Sequence, residues 1–464
     1  MTSNEASAQK AVITHIKSNT HAGNAVAHTC SLSCGETYAQ GLRKPELLAP
    51  AGGMEQLLAA VHYGADAVYL ATDRFGMRAR ATNFTLDELP RAVEIAHGAG
   101  VRVYVTCNIL MDSKDIAALP AYYEALEAAE VDAAIVGDIG AASLLSQYAP
   151  HVSLHVSTQA SVANARAACV WHELGARRVV CAREMSLDEI ATLRANTPPD
   201  LEIEAFVHGA QCMAVSGRCL ISAYLTGRSG NKGNCTQPCR WHYALEEEKR
   251  PGMFFPVEED GQGTFIMNAK DLNMLAHVHE LARAGVDSLK IEGRNKKAFY
   301  VATVVNAYRR VLDGEDATII APELETVSHR PYATGFYFGE AEQASDYDGY
   351  EQTCIHVADV MSCESAGDGE TWQLEARCRN RFAEGDELEV LVPGCDAIRV
   401  VVRNLAWLPE PKDDADAAGT DAIPTPVPVP VANRSAERYR FEVGAPVPAD
   451  TFLRARQFRR SARH

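Results

Sequence analysis

Short apolar runs alternate with longer amphipathic stretches from Pro45 to about residue 294. The apolar runs predict strands, and they read ELLAPA, DAVYLA, VRVYVTC, DAAIVGD, SLHVST, RRVVCAR, EIEAFVHG and SLKIEGR. The stretches between them, such as GGMEQLLAAVHYGA and DLNMLAHVHELARAG, repeat their apolar residues at the helical period. Continuous apolar strands that alternate with amphipathic helices indicate a parallel sheet covered by helices.

Eight such units over about 250 residues predict a β/α (TIM-type) barrel, which we place at residues 44–339. Gly64, Gly100, Gly175 and Gly285 each stand just before a strand, where a helix can end in a left-handed residue. A doubly wound open sheet is the alternative, but no G-x-G-x-x-G motif follows any strand. The pattern therefore favours the barrel.

Two flanking regions lack this alternation. Residues 1–43 show no sustained period and are predicted to form a flexible N-terminal tail. Residues 340–464 contain the strand patterns TWQLEARCRN, DELEVLVPG, IRVVVRNLAW and RYRFEVG, which predict a small all-β, barrel-like domain. Within it, residues 409–431 are rich in acidic residues and proline, which is typical of a disordered loop.

An insertion interrupts the barrel pattern after the seventh strand, at residues 209–265. It begins with four cysteines at the spacing C-x6-C-x15-C-x3-C, namely Cys212, Cys219, Cys235 and Cys239. It is predicted to end in a hairpin formed by HYALEEE and GTFIMN. Because active sites of β/α barrels lie on the face built from the loops after the strands, the cysteines are expected on the functional face.

The cysteine spacing leaves three chemical interpretations open. Structural zinc sites usually use C-x2–4-C pairs, and the six-residue gap is loose for such a pair. An iron–sulfur cluster accepts thiolates from a looped segment with irregular gaps, and the nearby glycines would let the backbone wrap closely. Four unlinked thiols are the third interpretation.

Composition and charge place limits on partners and location. The 464 residues are 47% hydrophobic and 23% charged, with a net charge of −17, which argues mildly against nucleic acid binding. Two local basic clusters oppose that reading: EGRNKK and the C-terminal RARQFRRSARH. No apolar run approaches the length of a membrane span and the N-terminus lacks a signal-peptide pattern, so we expect a cytoplasmic protein without a membrane partner.

The stretch EAFVHGAQCMAVSGRCLIS, Glu204 to Ser222, resembles the signature of the collagenase-like peptidase family U32. Gln211 departs from the signature, which usually has an aliphatic residue there. The resemblance continues at PELLAPAGG, YGADAVY, FIMNAKDL, SLKIEGR and HRPYATGF. It is greatest to the branch of tRNA-uridine hydroxylation proteins.

The resemblance implies a specific chemistry. It assigns Cys212, Cys219, Cys235 and Cys239 as ligands of a 4Fe–4S cluster. It implies that the wobble uridine in the anticodon loop of tRNA is converted to 5-hydroxyuridine, with prephenate as co-substrate. The oligomeric state is left open.

Prephenate is a small dicarboxylate, so its site should offer arginine side chains. The arginine candidates at strand ends or in the insertion are Arg183, Arg218, Arg240 and Arg294, and for each the alternative is a structural ion pair. The candidates for catalysis are His208, Arg183, Glu292 and Arg294. His208 would be a proton donor or a partner of the cluster, and the alternative is a structural histidine bonded to the backbone. Other polar residues that could line the pocket are Asn108, Asp138, Gln159 and Lys270. Asp271 is expected to begin the helix that follows it.

Three functional hypotheses follow. The first is a tRNA hydroxylase with an iron–sulfur cluster, and the second is a related hydroxylase that acts on ribosomal RNA or a quinone precursor. The third is a peptidase, or a binding module that uses the cysteines as a zinc clamp. The sequence contains neither H-E-x-x-H nor G-x-S-x-G, so it offers no recognisable protease motif.

Overall fold

The computed structural model describes residues 43–77, 82–212, 214, 218–219, 221–241, 244–246, 254–256, 270–341, 350–409 and 425–457. The predicted N-terminal tail lies outside these ranges except for its last residue, and so does most of the predicted acidic and proline-rich loop. Among the described residues, no helix combines the length and apolar character needed to cross a membrane.

Eight parallel strands form a closed barrel, as the sequence predicts. They are β1 (Glu46–Pro50), β2 (Ala67–Leu70), β3 (Arg102–Cys107), β4 (Ala133–Val136), β5 (Ser153–Val156), β6 (Ala176–Val180), β7 (Glu202–Ala210) and β11 (Ser288–Ile291). Each strand pairs with the next, and β11 pairs with both β1 and β7, which closes the ring. The strands are almost entirely buried because helices cover their outer face.

Helices alternate with these strands. They are α1 (Met54–His62), α2 (Leu89–Gly98), α3 (Ser113–Ala128), α4 (Ile139–Tyr148), α5 (Ala165–Glu173), α6 (Leu187–Ala195), α7 (Ile221–Thr226), α8 (Val278–Arg283), α9 (Ala298–Leu312) and α10 (Ala317–Leu324). The four glycines named above have φ values of 95°, 76°, 95° and 84°, as expected for residues at which helices end.

The insertion after β7 contains α7 and a short hairpin of β8 (Ala244–Glu246) and β9 (Phe254–Pro256). The first predicted strand, HYALEEE, contains β8. Its partner is Phe254–Pro256 rather than GTFIMN, which lies outside the described residues. Two further strands, β10 (Asp271–Asn273) and β12 (Tyr332–Ala333), extend the sheet beside the last residues of β7.

Asp271 was expected to begin a helix, and that expectation is wrong. It is the first residue of β10 and is buried, and its carboxylate receives hydrogen bonds from Arg330 Nε at 3.0 Å and Nη2 at 2.6 Å. The partner lies 59 residues away in sequence, so no local pattern could show the pair.

The chain divides into a barrel unit and an all-β unit. The barrel unit contains the described residues up to Ala321 together with His329–Tyr350; the β unit contains Pro322–Ser328 and the described residues from Glu351 onward. The division after Tyr350 lies about ten residues beyond the predicted boundary at 340.

The β unit is built on one antiparallel sheet of eight strands. These are β13 (Cys354–Ser365), β14 (Trp372–Cys378), β16 (Glu387–Leu391), β17 (Ile398–Val401), β18 (Arg403–Leu408), β19 (Val427–Pro428), β21 (Arg438–Val443) and β22 (Phe452–Arg456). A second pair, β15 (Phe382–Ala383) and β20 (Val431–Ala432), completes the unit. Inward-facing residues such as Leu374, Phe441 and Leu453 form its own core.

Candidate active site at the carboxyl end of the barrel

A small pocket of about 10 Å³, partly open to solvent, lies where β6, β7 and β11 end. Its walls contain three candidates from the sequence: Arg183 after β6, His208 near the end of β7 and Glu292 after β11. The remaining lining residues are Cys181, Ala182, Phe206, Gly209, Ala210, Gln211, Leu272 and Tyr337. The pocket therefore lies on the barrel face where β/α enzymes bind their substrates.

Arg183 is the cationic group of this pocket. Its guanidinium lies 4.2 Å from the ring centroid of Phe206, and its Nη2 atom is 3.9 Å from Oε2 of Glu292. Its Nε atom is buried and has no hydrogen-bond partner among the described residues. Because a buried donor without an acceptor is costly, the pocket is suited to a ligand that supplies a carboxylate or carbonyl oxygen.

His208 is a neutral ring at the base of the pocket. It is 1% exposed and packs against the rings of Tyr300, Tyr308 and Tyr332, with centroids 5.4 to 6.2 Å away. Burial lowers the pKa of His208 to about 3, with further lowering by Lys296 and His329 and opposition from Asp271. His208 is therefore neutral at neutral pH, and its role as a proton donor or a partner of the cluster stays a prediction.

The tautomer of His208 is set by the hydroxyl of Tyr308. That hydroxyl donates to the carbonyl oxygen of Val207 at 2.7 Å and lies 3.5 Å from Nδ1 of His208. With its hydrogen committed to Val207, the Tyr308 oxygen faces Nδ1 as an acceptor, which favours the hydrogen on Nδ1. The Nε2 atom has no partner among the described residues and is left as an acceptor.

Gly209 allows the ends of β7 and β11 to approach each other at the pocket. It has a φ of 103°, and a Cβ atom there would lie 2.4 Å from the carbonyl oxygen of Glu292. The backbone N–H of Glu292 donates to the carbonyl oxygen of His208 at 2.8 Å. Only glycine fits this position, so Gly209 positions the Glu292 side chain at the pocket.

The cysteine segment is attached to the opposite side of the barrel mouth. Nε of Arg218 donates to the carbonyl oxygen of Gln159 at 2.7 Å, immediately after β5. The side-chain oxygen of Asn231 accepts from the backbone N–H of Cys219 at 3.0 Å, and its carbonyl oxygen accepts from Leu110 N–H at 2.9 Å. These contacts hold the segment against the loops after β3 and β5, which confirms its placement on the carboxyl face.

The four cysteines fit a metal centre in chemistry and accessibility but are not assembled into one. None forms a disulfide; Cys212 is exposed and the other three are partly exposed, whereas Cys107, Cys181, Cys354 and Cys378 are buried. The Gln237 N–H lies 3.3 Å from the Cys235 sulfur, the type of contact that tunes metal-bound thiolates. In the part of the chain that the structure describes, no three Cys, His, Asp or Glu side chains are grouped to hold a metal ion.

The remaining candidates have different environments. Arg294 is 4% exposed, with its guanidinium 6.0 Å from the Tyr69 ring centroid, over the first barrel strands. Its backbone carbonyl oxygen would lie 1.9 Å from a Cβ atom at Gly52, so glycine is required there. Asn108 donates to Ser157 Oγ at 3.3 Å and accepts from Met77 N–H at 3.3 Å.

Three further candidates, Asp138, Lys270 and Arg240, are not among the described residues that line the pocket. Asp138 caps helix α4 by accepting from the N–H of Ala141 at 3.0 Å, and its place in a substrate pocket stays a prediction. Lys270 directly precedes β10 and is half-buried. Arg240 ends a 3₁₀ turn, and its side chain lies outside the described residues.

Sequence reasoning missed a network of buried charges inside the barrel. Arg178 bonds to Glu46 at 2.7 Å, Glu202 at 2.6 Å and Glu204 at 3.0 Å, and Nζ of Lys290 bonds to Glu204 at 2.6 Å. Glu204 and Lys290 are 0% and 4% exposed. The sequence contains one sign of this network. Charged residues interrupt two otherwise apolar strands, EIEAF and SLKI, at positions whose side chains point to one face of the strand.

The barrel and its cysteine insertion define the class of protein, and comparison with known families agrees. The model of peptidase family U32 matches residues 52–347. The chain belongs to this family.

Among its relatives, the tRNA hydroxylation protein P1 of Bacillus subtilis (strain 168) is 38% identical over 385 residues, covering 81% of this chain and 90% of the relative. The tRNA hydroxylation protein P of Escherichia coli (strain K12) is 35% identical, covering 75% and 86%. The 23S rRNA 5-hydroxycytidine C2501 synthase of the same strain is 32% identical, covering 75% of this chain but 52% of that protein.

Proposed function

We propose that this protein hydroxylates the wobble uridine in the anticodon loop of tRNA to 5-hydroxyuridine in a prephenate-dependent reaction. The observation that carries the proposal is its similarity to two tRNA hydroxylation proteins over 86% and 90% of their lengths. A uridine in an anticodon loop can leave its stack at low energetic cost, so a pocket at the mouth of a barrel can receive it.

We propose that Cys212, Cys219, Cys235 and Cys239 hold a 4Fe–4S cluster. Support comes from the donor set: four thiols, all at least partly accessible, on one segment attached to the carboxyl face. When bound, such a cluster supplies redox or Lewis-acid chemistry at that face. The four thiolates must move together to bind it, since the described side chains are not grouped round one point.

We assign the residues around the pocket between β6, β7 and β11 to prephenate. The pocket has room for about one water molecule, so it must open to admit this ligand. Arg183 would bind a carboxylate through its unpartnered Nε–H, and Phe206 beneath it would fix the plane of the guanidinium. Nε2 of His208 would accept a hydrogen bond from the ligand hydroxyl. Glu292, whose Oε2 atom lies 3.9 Å from Nη2 of Arg183, would orient the guanidinium from the end of β11.

A second candidate is hydroxylation of ribosomal RNA, favoured by the similarity to the rRNA 5-hydroxycytidine synthase. The chain covers only 52% of that protein, against 90% of the Bacillus subtilis tRNA hydroxylation protein. The part of the synthase that has no counterpart here could carry its substrate recognition, so the tRNA assignment is preferred.

The experiment that tests the proposal is nucleoside mass spectrometry of a deletion strain with no redundant hydroxylase. Loss of 5-hydroxyuridine and its derivatives from tRNA, restored by the wild-type gene, is the expected result. Loss of 5-hydroxycytidine from ribosomal RNA with unchanged tRNA would instead support the second candidate. Unchanged nucleosides in both RNAs of the deletion strain would reject RNA hydroxylation as the function and favour the peptidase hypothesis.

A further inference from the structure

The β unit carries a patch of five arginines on an otherwise acidic surface. Its described residues from 351 to 457 contain fourteen acidic and ten basic side chains, so the unit as a whole is negative. Half of its basic residues lie together at one end of strands β14 and β21. This arginine patch consists of Arg377, Arg379, Arg381, Arg434 and Arg438.

The backbone brings these five residues together. Arg377 on β14 stands directly opposite Arg438 on β21. The turn that contains Arg434 is bonded to Cys378, because Ala436 N–H donates to its carbonyl oxygen at 2.8 Å and Cys378 N–H donates to Glu437 at 2.9 Å. The patch is therefore a product of sheet pairing between segments about 60 residues apart.

The patch has an excess of positive charge. Two of its arginines have acidic neighbours: Asp359 lies 2.6 Å from Nε of Arg379, and Glu437 lies 3.7 Å from Arg434. The side chains of Arg377, Arg381 and Arg438 form no hydrogen bond or ion pair with the described residues. Like charges directly opposite each other destabilise an antiparallel sheet, so retaining Arg377 opposite Arg438 costs stability unless an anion binds.

Arg434 identifies the class of anion. Its guanidinium lies 4.2 Å from the ring centroid of Trp407, and its side chain is 54% exposed. One face of the planar group is thus supported by the indole, while the other is available to solvent. A supported guanidinium stacks on unpaired nucleobases, and neighbouring arginines bind phosphate oxygens. Anionic lipid or an acidic peptide would use the charge but not the stacking face.

We propose that the arginine patch binds the backbone of single-stranded or looped RNA, with Arg377, Arg381 and Arg438 on phosphates and Arg434 stacked on a base. This inference rests on the proposed function, because a tRNA substrate supplies the RNA. It adds a binding surface in the β unit that is separate in sequence from the barrel pocket.

The test uses two matched pairs of charge reversals, R377E/R438E in the patch and R399E/R403E elsewhere in the same unit. Arg399 and Arg403 are exposed and lie on β17 and at the start of β18, and Arg403 pairs with Glu442 near the other end of β21. Both variants change the net charge by the same amount. Binding of fluorescently labelled tRNA to the full chain is measured as a function of salt concentration.

We expect the patch variant to bind tRNA about tenfold or more weakly and to lower the salt slope by about two, one for each lost phosphate contact. The control pair should change both quantities little. Arg434→Lys retains the charge, so it should weaken binding without lowering the slope. Equal losses in the two charge-reversed pairs, or an unchanged slope in the patch pair, would overturn the inference.

Folding and catalysis are scored separately. R377E alone places a carboxylate opposite Arg438, so it should leave the β unit as stable as the wild type or slightly more stable while weakening tRNA binding. If the wild type binds tRNA through the patch but modifies no uridine, the proposed hydroxylase function is wrong, and the proposal that the patch binds RNA is retained. If the wild type hydroxylates uridine and the R377E/R438E variant binds tRNA normally, only the proposal that the patch binds RNA is wrong. Anionic vesicles bound through the patch in place of tRNA would also reject it.

Discussion

At the residue scale, burial rather than residue type decides what each polar group of the pocket can do. Arg183 and His208 both have a buried nitrogen without a partner among the described residues. The guanidinium of Arg183 supplies charged donors, whereas burial lowers the pKa of His208 and keeps its imidazole neutral. The pocket therefore offers one charged donor and one neutral acceptor.

Replacing Arg183 by Gln should weaken prephenate binding by about tenfold to a hundredfold, since a hydrogen bond to a charged group contributes about 1.5–3 kcal/mol. Isothermal titration calorimetry with the purified protein measures the affinity. Arg177→Gln is the matched control, because Arg177 lies near the start of β6, at the opposite end of the barrel. Unchanged affinity in Arg183→Gln would remove this arginine from the ligand site.

His208 should make the barrel acid-sensitive. Its folded-state pKa of about 3 lies below the unfolded value, so the unfolded chain binds a proton between pH 6.5 and 3 while the folded chain does not. The free energy of unfolding consequently falls as the pH falls through this window, by about 1.4 kcal/mol per pH unit, and the full contribution is present above pH 6.5.

Urea unfolding at pH 7 and pH 5 measures this effect. The loss of stability between these pH values should be smaller in His208→Phe than in the wild type by about 2 kcal/mol. His151→Phe serves as the control because the His151 side chain is 89% exposed. An identical pH dependence in His208→Phe and the wild type would show that the ring is not buried as a neutral group.

At the scale of the element, β7 connects the barrel interior with the site. Glu204 belongs to the interior charge network, Phe206 supports Arg183, His208 lines the pocket and Gly209 admits the end of β11. Cys212 follows two residues after the strand ends. The interior network and the pocket are therefore joined by one strand.

The network should show strong coupling in a double-mutant cycle. Glu204→Leu leaves Lys290 buried without its carboxylate, so it should cost about 3–5 kcal/mol. Lys290→Met should cost less, because Glu204 keeps its contact with the guanidinium of Arg178 at 3.0 Å. The double variant should cost clearly less than the sum, as measured by urea unfolding. The exposed pair Arg91 and Glu94 should give a coupling below about 1 kcal/mol. Additive costs at Glu204 and Lys290 would contradict the buried pair.

At the scale of the whole molecule, the chain forms two units with separate cores. The barrel unit carries the pocket and the cysteine segment, and the β unit carries the arginine patch. Basic residues near the C-terminus are less available than the sequence suggests: Arg454 is 0% exposed and bonds to Glu389 and Glu323, and Arg456 bonds to Glu389. Arg459, Arg460 and Arg463 lie outside the described residues.

Anaerobically purified protein should be brown and contain about four irons and four sulfides per chain. Single Cys→Ser changes at positions 212, 219, 235 and 239 should reduce the iron content and bleach the visible absorption. Cys169→Ser and Cys395→Ser are the controls, since these thiols lie on α5 and in the β unit. Stoichiometric zinc without sulfide would overturn the cluster proposal.

The sequence by itself determined the barrel, its eighth strand after the insertion and the face on which the cysteines lie, because these follow from local periodicity and chain order. It also placed Arg183, His208 and Glu292 at strand ends. Only the tertiary structure decided their roles. Arg183 meets Glu292 from 109 positions away, His208 becomes neutral because three tyrosines bury it, and Asp271 pairs with Arg330. Burial and long-range pairing depend on residues that are distant in sequence, so no local pattern encodes them.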